Sequence, residues 1–317
     1  MRVLVVGAGA SIEEARRANA SKEFWPPVIA NFARKMWDSS HNQFFNYWLP
    51  DYLATQGVDP GNDPTSRFIE LAQDPLNKIN VERLFEYCWI NKGRKFDGDW
   101  ENLIEHGVLG PLTFILLMAF YENGVIKRLQ AGMLASSQLG GGDVILNLNY
   151  ETLFEIAATQ QGLTITYVPN KFSGNGIWVA KPHGSINLLA DDRQFWFAQA
   201  DCIGALPSAS DNYRNWRAIV PPRFNKSYDQ HPIAHMILDA IRGVRPDVLT
   251  YWGVGLTDSD ADLLEIYRTW GTASGGAEVI NPDAAVVARA RDLLGLPIKH
   301  FIALEDWIAG RAHQIVK

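Results

Sequence analysis

The chain has 317 residues, 47% of them hydrophobic and 20% charged, with a net charge of −6; it is long enough for one large domain or two lobes. No basic run tracks a phosphate backbone, which argues against direct nucleic-acid binding, and the longest apolar stretch, residues 112–121, is too short to span a bilayer. Cys88 and Cys202 form no Cys-x-x-Cys pair, so neither a disulfide framework nor a cysteine zinc site is expected, and a soluble, cytoplasmic protein is.

The chain opens on an apolar run, Val3 to Val6, that predicts a short buried strand, followed by Gly7-Ala-Gly-Ala-Ser11. Gly7, Gly9 and Ser11 keep bulk away from a backbone whose amides could approach a phosphate, although a tight structural turn would use the same residues. The dinucleotide fingerprint wants a third glycine three residues after the second; here that position is Ile12, which points away from an ordinary hydride-transfer enzyme. Residues 12–19 favour helix, and Pro26-Pro27 ends that pattern and starts the next helix. Residues 42–52, 64–72, 81–91, 100–106 and 109–137 then repeat apolar side chains at helical spacing, so residues 28–137 are expected to form a mainly helical lobe.

Gly140-Gly141-Gly142 introduces a strand over 143–148 that ends in Asn149-Tyr150-Glu151 before a helix over 152–161. Strands over 163–168 and 176–181 follow, the second ending at Pro182-His183-Gly184-Ser185. Residues 191–230 are aromatic-rich and irregular, with one strand expected at 217–220. A helix from His235 precedes a strand over 248–253, and the loop from Val254 to Asp260 opens an amphipathic helix that its Asp and Ser residues are placed to cap. A strand over 278–280 ends in Asn281-Pro282; a helix over 284–294, a strand over 299–304 and a short helix complete the chain. This alternation predicts an α/β fold, a Rossmann-like doubly wound parallel sheet formed by residues 1–27 and 138–317, with ligands at the carboxyl ends of its strands.

Four strand ends thus carry distinctive residues: Gly7-Ala-Gly-Ala-Ser11, Asn149-Tyr-Glu151, His183-Gly-Ser185, and Gly253-Val-Gly255 with Asn281 beyond. In this order they resemble the motif series of the sirtuin-like domain, in particular the bacterial sirtuin-like NAD hydrolases of antiphage defence. Phe24-Trp-Pro-Pro27 and Val81-Glu-Arg-Leu-Phe85 look like further segments of that bacterial branch. The resemblance covers nearly the whole chain. It implies an NAD glycohydrolase that releases nicotinamide and ADP-ribose, with NAD as substrate and activity controlled by a partner protein or by homo-oligomerisation. The four-cysteine zinc ribbon of the lysine deacylases is missing, which disfavours deacylation and leaves a zinc-free deacylase as a weaker alternative. Glu151 stands where the family motif has Asp.

The chemistry can be stated from the residues. Cleaving the nicotinamide–ribose bond passes through an oxocarbenium-like state, but the leaving group starts cationic and departs neutral, so no general acid is required. An amide at Asn149 suits the orientation of a water or of the ribose, and an imidazole at His183 can accept a proton near neutral pH; the resemblance implies the same two roles. Ala8, Gly9 and Ser11 would cradle the phosphates, Glu151, Gly184 and Ser185 would complete the ribose side, and Gly253, Gly255 and Asn281 would lie near the adenosine. Each has a plainer reading as well. Asn149 could cap the next helix, His183 could be a turn residue, Glu151 could complement a helix dipole, Gly253 and Gly255 could serve packing alone, and Asn281-Pro282 is itself a turn signal. A nucleotide-binding sensor without turnover is the competing function.

Overall fold

In a computed structural model of the chain, the structure describes residues 1–28, 31–35, 43–73, 78–95, 115–116, 119–120, 124–169, 176–190, 195–199, 220, 222–224, 226, 228 and 231–315. Seven strands form one parallel sheet: β1 (Arg2–Val6), β2 (Val144–Asn147), β3 (Ile165–Tyr167), β4 (Ile177–Ala180), then β7 (Val248–Trp252), β8 (Ala277–Ile280) and β9 (Ile298–Phe301). Their spatial order is β3-β4-β2-β1-β7-β8-β9. The chain begins at the centre, passes through β2 to the edge at β3, returns to fill the gap between them with β4, and then crosses to β7 to build outward on the other side. The order therefore reverses between β1 and β7, which pair in register from Arg2–Val248 to Val6–Trp252. Helices cover both faces, and the protein is α/β with a Rossmann-like sheet. Because both faces are covered, β1, β2 and β8 read as nearly continuous buried apolar runs rather than as alternations.

One face carries α1 (Ala8–Arg17), α5 (Ala131–Ser136), α6 (Leu153–Gln160) and α10 (Leu304–Ile315), with Leu4, Ile145, Phe154, Trp252 and Trp307 in its core. The opposite face carries α7 (Pro232–Arg242), α8 (Ala261–Ala273) and α9 (Ala284–Leu294) over Val5, Leu146, Leu249, Tyr267 and Trp270. A third core belongs to α2 (Gln43–Thr55), α3 (Pro64–Ala72) and α4 (Val81–Lys95), where Trp48, Phe68, Leu84 and Cys88 are buried and meet Leu153 and Ile156 of α6. Burial pushes the Cys88 thiol upward in pKa, as befits a core thiol.

Several elements differ from expectation. Helix α1 starts at Ala8, directly after Gly7, so Gly9 and Ser11 lie inside its first turns and not in a preceding loop. The long helix expected over 109–137 is interrupted: Gly124 adopts a left-handed φ of 66°, a short 3-10 turn covers Ile126–Arg128, and α5 begins only at Ala131. The stretch read as irregular contains a strand, β6 (Phe195–Phe197), which pairs antiparallel with β5 (Leu188–Ala190) just before that stretch. Val220 lies outside any strand, whereas residues 217–219, the helix expected over 100–106 and Cys202 lie outside the described residues. Among the described residues no helix is long and apolar enough to cross a membrane.

The β1 and β7 turns meet main chain to main chain. The Gly7 amide donates to Trp252 O at 3.0 Å and the Gly9 amide to Gly253 O at 2.9 Å. A Cβ on Gly253, whose φ is 63°, would lie 2.2 Å from the Ala10 nitrogen, and one on Gly9 would lie 2.8 Å from Gly253 Cα. No side chain fits there. Gly253→Ala is expected to cost about 3 kcal/mol or more, from a left-handed φ and a backbone clash together. Gly57→Ala, with φ 73° but open space around it, should cost only about 1 kcal/mol. Equal shifts in melting temperature would contradict this account of the junction.

Candidate active site

At the carboxyl ends of β1, β2, β4 and β7 lies a cavity of about 210 Å³. It sits at the reversal of strand order, where open α/β sheets take their ligands. Its volume is below the roughly 300–1,000 Å³ usual for drug-sized ligands.

One wall is built from the ends of β1 and β2. The Asn149 amide nitrogen donates both its hydrogens, to Gly7 O at 3.1 Å and to Ser11 Oγ at 2.9 Å. These partners assign the amide orientation and leave Oδ1 for the cavity, so the side chain offers an acceptor there. Ser11 in turn donates to Glu151 Oε1 at 2.5 Å, and Glu151 Oε2 accepts from the Leu153 amide at 2.5 Å at the start of α6. Burial raises the Glu151 carboxyl above its usual pKa, an effect that Lys181 partly offsets. Beneath this loop the fully buried Lys181 ammonium donates to Glu151 O at 2.6 Å and Glu155 Oε1 at 2.8 Å, and Asn147 Nδ2 donates to Glu155 Oε2 at 2.9 Å. Every polar group here has a partner, and together they fix the direction of Asn149.

The facing wall comes from the end of β4, from Pro222 and Lys226 and from the amino end of α8. His183 Nδ1 lies 2.9 Å from Leu148 O, a carbonyl that only accepts, which assigns the hydrogen to Nδ1. Nε2 lies 3.3 Å from Asp260 Oδ1. The same oxygen accepts from Lys226 Nζ at 2.8 Å and from the Tyr228 hydroxyl at 3.2 Å, and the Tyr228 ring is parallel to His183 at 6.0 Å between centroids. Burial by itself would raise the Asp260 carboxyl, but Lys226 and His183 outweigh it and hold the group well below the usual carboxylate range. Lys226 also stands 3.8 Å from Glu82 Oε1, whose carboxyl burial raises.

Of the residues singled out in the sequence, Ala8, Ser11, Asn149, Glu151, His183 and Gly255 line the cavity together. Gly9 and Gly253 do not line it. Their main chains are joined to each other, and the Gly9 amide already has its acceptor, so Gly9 is not a phosphate donor here. Gly184 makes the turn after His183 with φ 87°, and Ser185 is buried behind it, donating to Asn187 Oδ1 at 2.6 Å. Asn281 donates to Val254 O at 3.2 Å and braces the loop after β7 rather than entering the cavity. Ser11 lines the cavity, but its hydroxyl proton goes to Glu151, so it orients Asn149 and is not held ready for a phosphate. Among the described residues the Ala8 amide, at the first position of α1, has no partner and is the free donor of that helix end.

Sequence reasoning missed Glu82, Lys226 and Asp260. Glu82 lay inside the quoted Val81-Glu-Arg-Leu-Phe85 segment, Lys226 fell in the irregular stretch, and Asp260 read as a helix cap. The structure does make Asp260 the first residue before α8, yet its side chain forms no capping bond. Among the described residues no group of three or more His, Cys, Asp or Glu side chains is placed to hold a metal ion. No family model matches the chain, and no curated protein matches it.

The Asp260 carboxyl has a pKa below its unfolded value, so the stability it contributes is complete above about pH 4, the ordinary Asp value, and is lost as pH falls. Asp260→Asn should therefore flatten the acid limb of a melting-temperature profile below about pH 4. An acid limb unchanged by the substitution would show that this ion pair does not set it.

Proposed function

We propose that this chain is an NAD glycohydrolase of the sirtuin-like type, cutting the nicotinamide–ribose bond to give nicotinamide and ADP-ribose. The observation that carries the reading is the convergence of Asn149 Oδ1 and the His183 ring on one cavity, at the strand-order reversal and beside the free amide end of α1. The nicotinamide ribose would occupy the cavity, and the diphosphate would lie at its mouth against the Ala8 amide. The side-chain chemistry supports this placement: the lining carries the carboxyl groups of Glu82, Glu151 and Asp260 against the single ammonium of Lys226, which suits a cationic pyridinium better than a diphosphate.

Asn149 Oδ1 would accept from a ribose hydroxyl or from the attacking water. His183, with Nδ1–H held by Leu148 O, presents Nε2 as the atom that takes a proton from that hydroxyl or water. Pro26, Phe32, Leu116 and Leu264 supply an apolar wall against which a pyridine ring would rest and from which bulk water is excluded. No proton has to be supplied to nicotinamide, because the bond electrons neutralise its ring as it leaves.

Nε2 is engaged by Asp260, so this contact must exchange before His183 can act. That accords with an activity withheld until a partner, an oligomer or a ligand completes the site, as expected of an antiphage effector that consumes NAD. The same contact is the observation that favours the second reading, a nucleotide sensor without turnover. Thermal stabilisation by NAD without nicotinamide release would support the sensor.

Purified protein, alone and with the product of the adjacent gene, should release nicotinamide from NAD. Asn149→Ala and His183→Ala are each expected to lower the rate by about 10²- to 10⁴-fold with the melting temperature retained. Equal rates for wild type and His183→Ala would exclude the assignment.

A further inference from the structure

Asp260 breaks a local rule. It occupies the position before α8 where an aspartate ordinarily accepts from the free amides of the first turn, a bond worth about 1 kcal/mol, and it makes no such bond. Asp63 and Asp283, in the same position before α3 and α9, do cap, accepting from Ser66 at 3.1 Å and Ala285 at 2.8 Å. The Asp260 carboxylate is turned into the cavity instead. Oδ1 accepts from Lys226 and Tyr228 and lies 3.3 Å from His183 Nε2. Oδ2 accepts from no described residue and keeps solvent access, and Asp260 lines the cavity. An ionised oxygen without a donor therefore stands on the cavity surface beside the one imidazole nitrogen that can serve as a base.

The geometry points to Asp260 as a substrate-contacting residue whose Oδ2 accepts a hydrogen bond from one hydroxyl of the nicotinamide ribose while His183 Nε2 accepts from the other. Two acceptors side by side match a vicinal diol, whose adjacent hydroxyls can each donate in the same direction. An ionised acceptor makes the stronger kind of hydrogen bond, and its charge faces the carbon that becomes electron-deficient as the bond to nicotinamide opens. Lys226 and Tyr228 hold Oδ1, so the rotation of the carboxylate is set before the ligand arrives. The charged and titratable groups around the pair are Lys226, Tyr228, Tyr150 and Glu82, and the acceptor that is both ionised and turned toward His183 is Asp260. A site built in this way reads the diol, discriminating against a sugar that lacks either hydroxyl.

This inference rests on the nicotinamide ribose occupying the cavity, and the test separates the two. Equilibrium binding of the full chain is measured for NAD and for two NAD analogues, each lacking one hydroxyl of the nicotinamide ribose. Wild type should bind both analogues about tenfold or more weakly than NAD. Asp260→Asn, with folding checked by its melting temperature, should bind NAD about tenfold more weakly and should lose discrimination against one analogue while keeping it against the other. A merely structural role for Asp260 would weaken all three ligands alike and leave both ratios unchanged, which would overturn the inference. If Asp260→Asn does not fold, Asp260→Glu replaces it, and wild type binding all three ligands equally would overturn the inference without any variant. NAD that is bound with these ratios but never cleaved would refute the hydrolase and leave the diol contact established.

Discussion

The site depends on the close approach of two main chains at the centre of the sheet. The Gly9 amide bonded to Gly253 O, with no room for a side chain on either residue, places the turn after β1 directly against the turn after β7. Because those strands are neighbours at the reversal of strand order, the chain leaves them in opposite directions and opens a crevice between. Ser11 then stands on one side and the loop from Val254 to Asp260 on the other. Asn281 donating to Val254 O and Arg289 donating to Gly255 O hold that loop from the β8 side. Gly9, expected at the phosphates, and Gly253, expected near the adenosine, instead pin the two sides of the crevice together.

Two carboxylate networks then orient the two residues on which the chemistry is proposed to rest, and they differ in character. The Glu151, Glu155, Lys181 and Asn147 network is fully buried and fully partnered, so its worth lies in fixing a single direction for Asn149 through Ser11. The Asp260, Lys226, Tyr228 and Glu82 network opens onto the cavity and leaves an oxygen without a donor. The first is a scaffold; the second has capacity left for a ligand. A carboxylate that forgoes its helix cap in order to face a cavity is the kind of local inconsistency that binding sites tolerate.

Much of the architecture was legible because the parallel sheet announces itself in short β-branched runs, each followed by a turn and an amphipathic helix. The strand ends could be found for the same reason: Asn149 and Glu151 mark one of them and His183 another. What could not be read were relations across sequence distance. Whether Gly9 faces a phosphate or Gly253 depends on which strands are neighbours, and that is a property of topology and not of the motif. Lys226 lies in a segment without periodicity, so nothing local connects it to Asp260. Asp260 itself was hidden by a strong local signal: an aspartate before a helix reads as a cap, and only the contact with His183, 77 positions away, reveals another role. Gly124, which stops the long helix expected over 109–137, shows the converse, a backbone preference overriding apolar spacing.

The central claim is that this cavity cuts a nucleotide rather than merely holding it. The most direct measurement is mass spectrometry of NAD incubated with the full chain in water enriched in oxygen-18. Hydrolysis at the ribose predicts ADP-ribose carrying one atom of the heavy isotope together with unlabelled nicotinamide in equal amount. Intact NAD recovered from protein saturated with it, both alone and with the product of the adjacent gene, would contradict the account.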